Sequence, residues 1–402
     1  MTLAWIALGT APLLGLYAYA GYPLLLKLVA LLRRHQEGPE YGGDDWPTIS
    51  LSVPAYNEEH QIAETVESLL ALDYPADRRQ ILIVSDGSTD RTDEIVGAYE
   101  DRGVELARVP VRGGKTAAEN LAARHLRGEI IVNTDASIRI HPNALKPLIA
   151  PFKDPSVGLA SGRDLSVGKN PDESNQGEAG YVGYEMWVRS LETAVAGIVG
   201  ASGCYYAIRP ELQRISLPGA LSRDFAAALN TRARGFRAVS VPEATCAVPR
   251  TASLRAEYPR KVRTMVRGMQ TLLFKRALMN PFRQGLFAWM LFSHKVCRWL
   301  LPWAALVSLA GLVGLAPAHL WARWGLVAAA VAIGVSSISW AFVDLKRLPG
   351  ALTLPAFALM GNFAALKASI LALSGANEAI WEPTRREPAT TPITSSGPPD
   401  RG

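Results

Sequence analysis

The chain has 402 residues, of which 49% are hydrophobic and only 19% charged. With a mean hydropathy of +0.10, this excludes a disordered chain, a collagen-like fibre and a small disulfide scaffold. The net charge is +6, with no long block of like charges, so no nucleic-acid partner is expected.

The first apolar segment runs from Leu3 to Leu32 and holds one charge, Lys27. It exceeds the ~20 residues that cross a bilayer. Ala18-Tyr19-Ala20 resembles a signal-cleavage site. No basic region precedes it and the apolar run continues past it, so residues 1–32 are read as an uncleaved transmembrane anchor. Arg33 and Arg34 follow it. Arg260, Lys261, Arg263, Arg267, Lys275, Arg276 and Arg283 precede the later apolar segments. Such basic flanks place the intervening region, about 45–275, in the cytoplasm.

That region alternates. Thr48–Val53 reads as a strand ended by Pro54, and Glu58–Leu70 as a helix with Ile62, Val66, Leu69 and Leu70 on one face. Ile81–Val84, Val104–Val109 and Glu129–Asn133 read as strands, with helices over Thr89–Tyr99 and Lys115–Leu126 between them. The fold class is therefore α/β, with a mostly parallel sheet covered on both faces. Ligands of such sheets bind beyond the carboxyl ends of the strands. Polar clusters stand there: Asn57-Glu58, Asp86-Gly87-Ser88 and Asp135. Ser166–Gly177 reads as a loop. Glu178–Val195 reads as a helix, Gly200–Ile208 is small and apolar, Ser222–Arg234 is a helix capped by Ser222, and Val239 and Val241 mark a last strand.

Residues 279–298 mix aromatics with Arg, His and Lys, as a helix lying in the membrane interface does. The apolar stretches 299–316, 324–343 and 351–373 are read as two or three C-terminal transmembrane helices within 299–373. Gly361, Asn362 and Lys367 weaken the last, leaving three or four crossings in all. Within the tail 374–402, the part after Glu387 is rich in Pro, Thr, Ser and Gly and is expected to be disordered. The three cysteines, Cys204, Cys246 and Cys297, show neither metal nor disulfide spacing, so a reducing compartment is expected.

Gly113-Gly114-Lys115-Thr116 resembles a P-loop, but Val109 stands where that motif needs glycine. Taken in order, the clusters match something else. Val53-Pro54-Ala55-Tyr56-Asn57-Glu58, Ser85-Asp86-Gly87-Ser88, Gly113-Gly114-Lys115 with Asn120, Thr134-Asp135-Ala136-Ser137, Ser202-Gly203-Cys204, Arg223-Asp224-Phe225, Arg260-Lys261-Val262-Arg263 and Trp381-Glu382-Pro383-Thr384-Arg385 resemble the membrane-bound glycosyltransferases of family 2. These are the cellulose, hyaluronan and exopolysaccharide synthase-like enzymes with a GT-A (Rossmann-like) fold.

The resemblance implies a nucleotide-sugar donor, with Pro54, Tyr56, Glu58, Asp86, Lys115 and Asp135 binding it. It implies Mg²⁺ or Mn²⁺ on Asp135, with Ser137 in place of a second Asp, and Asp224 as the base of an inverting transfer. Ser202, Gly203, Arg260, Arg263, Trp381 and Arg385 are implied to bind acceptor or diphosphate. Simpler readings stay open: a turn former for Asp86, a surface lysine for Lys115, a helix-dipole partner for Asp224, and a solvated or headgroup-facing stripe for the arginines. The chain departs from the pattern in having Arg223 where an acid is usual, Arg260 for Gln and Thr264 for Trp. The missing Trp puts processivity in doubt.

The expected function is transfer of a sugar to a lipid-linked or polysaccharide acceptor at the bilayer, by a multi-pass protein of the cytoplasmic membrane with its catalytic domain inside. The alternatives are a lipid glycosyltransferase that adds one sugar, and a nucleotide-sugar-sensing scaffold or transport component.

Overall fold

Strands β1 (Ile49–Ala55), β2 (Arg79–Ser85), β3 (Val104–Arg108) and β4 (Ile130–Thr134) run parallel in the order β3-β2-β1-β4. This computed structural model describes residues 1–33, 45–167, 176–249, 254–341 and 350–375. The two-residue period of the strands sorts their side chains onto two faces. Leu51, Val53, Ile81, Ile83 and Val132 meet Ile62, Val66 and Leu69 of helix Ile62–Leu70 on one face. Leu82, Val84 and Ile131 meet Ala118 and Ala122 of helix Lys115–Ala122 and Ala227 and Ala228 of helix Arg223–Ala233 on the other. Each large apolar side chain buried this way contributes about 1.5–3 kcal/mol. The alternation expected from the sequence is the one that forms.

The sheet then departs from the parallel pattern. β5 (Arg139–Ile140), β6 (Val157–Val167), β7 (Tyr205–Ile208) and β8 (Arg237–Pro249) extend it in the order β7-β6-β8-β5. β7 is antiparallel to both β4 and β6. β6 was not legible as a strand because Gly158 and Gly162 interrupt its apolar pattern. Gly162 is required there: a Cβ would lie 2.4 Å from Tyr205 Cδ1 and 2.7 Å from the Ala244 carbonyl oxygen, a close approach that only glycine permits. β6 also takes in Ser166 and Val167, the first two residues of the expected loop. A helix begins at Gln176, and residues 168–175 lie outside the described ones.

Among the described residues, three helices are long and apolar enough to cross a membrane: Thr2–Leu32, Leu286–Leu315 and Leu320–Trp340, with a shorter apolar run at Ala358–Leu373. Their apolar stretches are only 22%, 17% and 17% buried, so most of their apolar surface faces outward, as it does in helices that meet lipid. The first rod carries a π-turn at Tyr17–Gly21 and the second one at Phe292–Val296. Of residues 279–298, where an interfacial helix was expected, Pro281–Gln284 form one short turn. From Leu286 onward they are continuous with the long rod.

Its basic residues turn inward there. His294 Nδ1 lies 2.6 Å from Glu192 Oε1 and Nε2 lies 3.0 Å from Glu185 Oε2, while Arg298 pairs with Glu185. Both glutamates lie on helix Gln176–Val195, which packs the α/β domain against the apolar rods. The Tyr22 hydroxyl donates to Glu192 Oε1 at 2.6 Å. Burial works against the charge of Glu192, but His294 and the Tyr22 hydroxyl outweigh it and hold the pKa below the ordinary value. Glu192→Leu should therefore cost about 1–3 kcal/mol for each buried polar partner it strands. The expected result is a lower melting temperature in detergent, largely restored in Glu192→Gln; a Glu192→Leu melt equal to wild type would show that the junction adds no stability.

Candidate active site

Because β1, β2 and β4 are parallel, the residues that follow them meet at one edge. Asn57 reaches a left-handed φ of 53°, which short polar side chains tolerate. Its backbone N–H donates to Ser88 Oγ at 3.2 Å, and its side-chain oxygen accepts from Thr89 N at 2.9 Å. The Glu58 N–H donates to Thr92 Oγ1 at 2.8 Å. The loops after β1 and β2 are thus braced to each other. Tyr56 is half-buried, with the Arg112 guanidinium 3.9 Å from its ring centroid, a cation–π contact. Pro54 lies within β1 opposite Val84.

Asp86 is only 3% exposed. Its Oδ1 accepts from the Gly113 N–H at 2.9 Å and its Oδ2 from the Gly114 N–H at 2.7 Å. In this structure Asp86 holds the Gly113-Gly114 turn, in which Gly114 has a φ of 82°, so that Lys115 starts its helix at the sheet edge. Lone pairs remain on both carboxylate oxygens, and a nucleoside contact stays open to it.

Lys115 pairs with Asp135, donates to the Gly203 carbonyl at 3.2 Å and lies 4.0 Å from Glu119 Oε1. Burial disfavours its charge, but Asp135 and then Glu119 outweigh that and raise its pKa above the ordinary lysine value. The ammonium is therefore retained across the physiological range. Gly203 sits just before β7. Because β7 runs antiparallel to β4 with Tyr205 opposite Thr134, the Ser202-Gly203-Cys204 segment is delivered beside Asp135.

Asp224 also adjoins that segment, in the first turn of helix Arg223–Ala233. A Cβ on Gly203 would lie 3.3 Å from Asp224 Oδ2. Ser222 Oγ donates to Asp224 Oδ1 at 2.5 Å, so one carboxylate oxygen is held and the other adjoins Gly203. Ser202 itself is buried and its hydroxyl donates to Asp164 at 2.6 Å, a structural contact.

Arg223, the substitute for the usual acid, is also buried. It reaches Glu119 Oε2 at 3.3 Å, Asn120 Oδ1 at 2.5 Å and the Gln213 carbonyl at 2.8 Å. Burial raises the Glu119 pKa, opposed by Lys115 and Arg223. Glu119 was missed in the sequence. The signals for it were its i,i+4 spacing from Lys115 and the arginine itself, because a buried guanidinium needs an acid somewhere.

Arg260, Arg263 and Arg267 share helix Leu254–Phe274. Arg267 enters the site, donating to the Gly219 and Leu221 carbonyls at 2.7 and 2.8 Å. Burial lowers its pKa, with Asp224 opposing. Trp381 and Arg385 lie outside the described residues.

For a metal, Asp135 offers a half-buried carboxylate with one oxygen engaged by Lys115 and further lone pairs remaining. Mg²⁺ and Mn²⁺ take hard oxygen ligands, and Mg²⁺ in such sites commonly takes one or two carboxylates plus phosphate oxygens. One carboxylate at the strand end fits that donor set, with Ser137 two residues on.

Residues 50–200 match the family model described as Glycosyl transferase family 2. The chain is 28% identical over 197 residues to beta-monoglucosyldiacylglycerol synthase of Nostoc sp., covering 48% of this chain and 42% of that protein. It is 32% identical over 123 residues to hyaluronan synthase of Streptococcus pyogenes, covering 28% of this chain and 29% of the synthase. The chain thus spans less than half the length of the curated relatives it matches. Its fold superposes on a mannosyltransferase from Pyrobaculum calidifontis, solved in complex with GDP-Man and Mn²⁺, with a TM-score of 0.66 at 24% identity over 92% of this chain and 99% of that one. Residues 50–200 thus match a glycosyltransferase family 2 domain, and the chain as a whole has the α/β GT-A fold of that mannosyltransferase.

Proposed function

We propose that the chain transfers a sugar, with inversion, from a UDP- or GDP-sugar to a lipid-linked or polysaccharide acceptor held at the cytoplasmic surface of the membrane. The observation that carries this is that Gly203 adjoins two charge systems: its carbonyl receives Lys115, the partner of Asp135, and a Cβ on it would lie 3.3 Å from Asp224 Oδ2. An acceptor hydroxyl entering from the Asp224 side gives its proton to Oδ2 as its oxygen attacks the anomeric carbon. The bond from that carbon to the diphosphate oxygen breaks on the opposite face, so the configuration inverts. Lys115 stands where the departing diphosphate gathers charge, and its carboxylate partners keep it protonated. A Mg²⁺ or Mn²⁺ held by Asp135 supplies further neutralisation of that charge when bound. The apolar rods Thr2–Leu32, Leu286–Leu315 and Leu320–Trp340 keep the site at the bilayer, where a lipid-linked acceptor is concentrated.

A panel of nucleotide sugars with Mn²⁺ or Mg²⁺, read by nucleoside diphosphate release from the detergent-purified protein, tests this. One donor should be turned over, and Asp135→Ala should lose at least about a hundredfold in rate, comparable to removing one charge-stabilising group. Release by Asp135→Ala equal to wild type would remove Asp135 from the site. A single-addition version of the same reaction is favoured by Thr264, which is exposed on its helix where processive enzymes of this pattern carry Trp. Product mass distinguishes the two.

A further inference from the structure

Spacing along the chain shows no metal pattern among the cysteines, but the fold brings two of them together. Cys246 is buried on β8, directly opposite Asp164 on β6 in the parallel ladder. Cys204 immediately precedes β7, which pairs with the other edge of β6. Cys246 Sγ lies 3.6 Å from Asp164 Oδ1, and the carboxylate oxygen and both sulfurs lie within 4.8 Å of one another. Ser202 Oγ stands 2.6 Å from Asp164 Oδ1 and 3.6 Å from Cys204 Sγ.

We propose that Asp164, Cys204 and Cys246 form a binding site for a thiophilic divalent cation of the Zn²⁺ type, separate from the hard-cation position at Asp135. Zn–S bonds of about 2.3 Å and Zn–O bonds of about 2.0–2.2 Å give a tetrahedron with edges of about 3.3–3.8 Å. The Cys246–Asp164 separation already has that length. Two ligands sit on paired strands and the third at the mouth of a neighbouring one, so the set is held by the sheet. Asp164 and Cys204 are only half-buried, which gives an ion a way in and leaves room for water as the fourth ligand. Ser202 Oγ, hydrogen-bonded to Asp164, orients that carboxylate, the usual task of a residue behind a metal ligand. Two sulfurs in the set select Zn²⁺-like cations over Mg²⁺ or Mn²⁺. Binding releases both thiol protons to solvent.

The site has a consequence for the reaction. Cys204 adjoins Gly203, whose carbonyl receives Lys115 and whose Cα abuts Asp224. A bound cation therefore fixes the segment that adjoins both Lys115 and Asp224.

Co²⁺ titration of the metal-free, reduced, full-length chain in detergent tests the assignment without using activity. One equivalent should give the near-ultraviolet thiolate charge-transfer band and the visible bands of tetrahedral Co²⁺, with Zn²⁺ displacing it. Cys246→Ser and Cys204→Ser should abolish the thiolate band, and Asp164→Asn should weaken affinity by at least about tenfold. Cys297→Ser and Asp135→Ala should leave the spectrum unchanged. Because Cys246 is buried, the Asp164→Asn variant keeps the test decisive if Cys246→Ser does not fold. A titration without a thiolate band, a spectrum indifferent to Asp164→Asn, or loss of the band in Asp135→Ala would overturn the proposal. So would a Cys204–Cys246 disulfide that persists under reductant. A result against the Asp135 or Asp224 roles would not touch it.

Discussion

Asp224→Asn should lower turnover by about 10²–10⁴-fold, the range expected for removing a general base. The substitution is close to isosteric. It keeps an acceptor for the Ser222 hydroxyl, which donates to Oδ1 at 2.5 Å, and it leaves the close approach to Gly203 unchanged. What it removes is the oxygen proposed to take the acceptor proton, because an amide is not a base. The loss should fall on kcat, with the KM for the donor changed little, since the proposed donor contacts, Lys115 and Asp135, are left in place. Nucleoside diphosphate release at saturating donor, together with a wild-type melting curve for the variant, checks this. Near wild-type turnover would return Asp224 to the simpler reading of a helix-dipole partner.

The second large effect concerns stability. Arg223→Met should destabilise the protein by about 3–5 kcal/mol, because it leaves Glu119 as a buried charge whose nearest remaining partner, Lys115, is 4.0 Å away. The double variant Arg223→Met with Glu119→Leu should recover much of the loss, since an apolar pair of similar volume often replaces a buried ion pair at little cost. The pH dependence has a definite sign. Burial already raises the Glu119 pKa, and Arg223 is one of the two charges opposing that rise. In the variant the folded pKa rises further above that of the unfolded chain. Between those two values the folded state holds more protons, so stability increases as pH falls and declines as pH rises through the folded pKa. The deficit of Arg223→Met should therefore shrink on acidification, as read by melting temperature against pH in one detergent. A deficit that widens at low pH would contradict the pairing.

Much of this was legible along the chain because it depends on local periodicity. The apolar spacing of Ile62, Val66 and Leu69 marks a helix, and the β-branched runs mark strands. Parallel strands bring Glu58, Asp86 and Asp135 to one edge whatever the details of packing. Other features had no local signal. β6 hides behind Gly158 and Gly162, which look like breakers until the Tyr205 ring is seen to need the space. Residues 279–298 read as a helix lying in the membrane interface, and His294 and Arg298 became buried partners only once helix Gln176–Val195 supplied Glu185 and Glu192.

By itself the sequence determined the α/β alternation, the polar strand ends and the apolar helices that flank them, because each follows from side-chain period and length. Only the tertiary structure decided what those residues touch. It turned β7 antiparallel and placed Gly203 beside both Lys115 and Asp224. It committed both oxygens of Asp86 to a glycine turn, matched Arg223 to Glu119, and brought Cys204 beside Cys246 across more than forty residues of chain. Such contacts follow from strand order and direction, which sheet pairing over long separations sets and no short window of sequence contains.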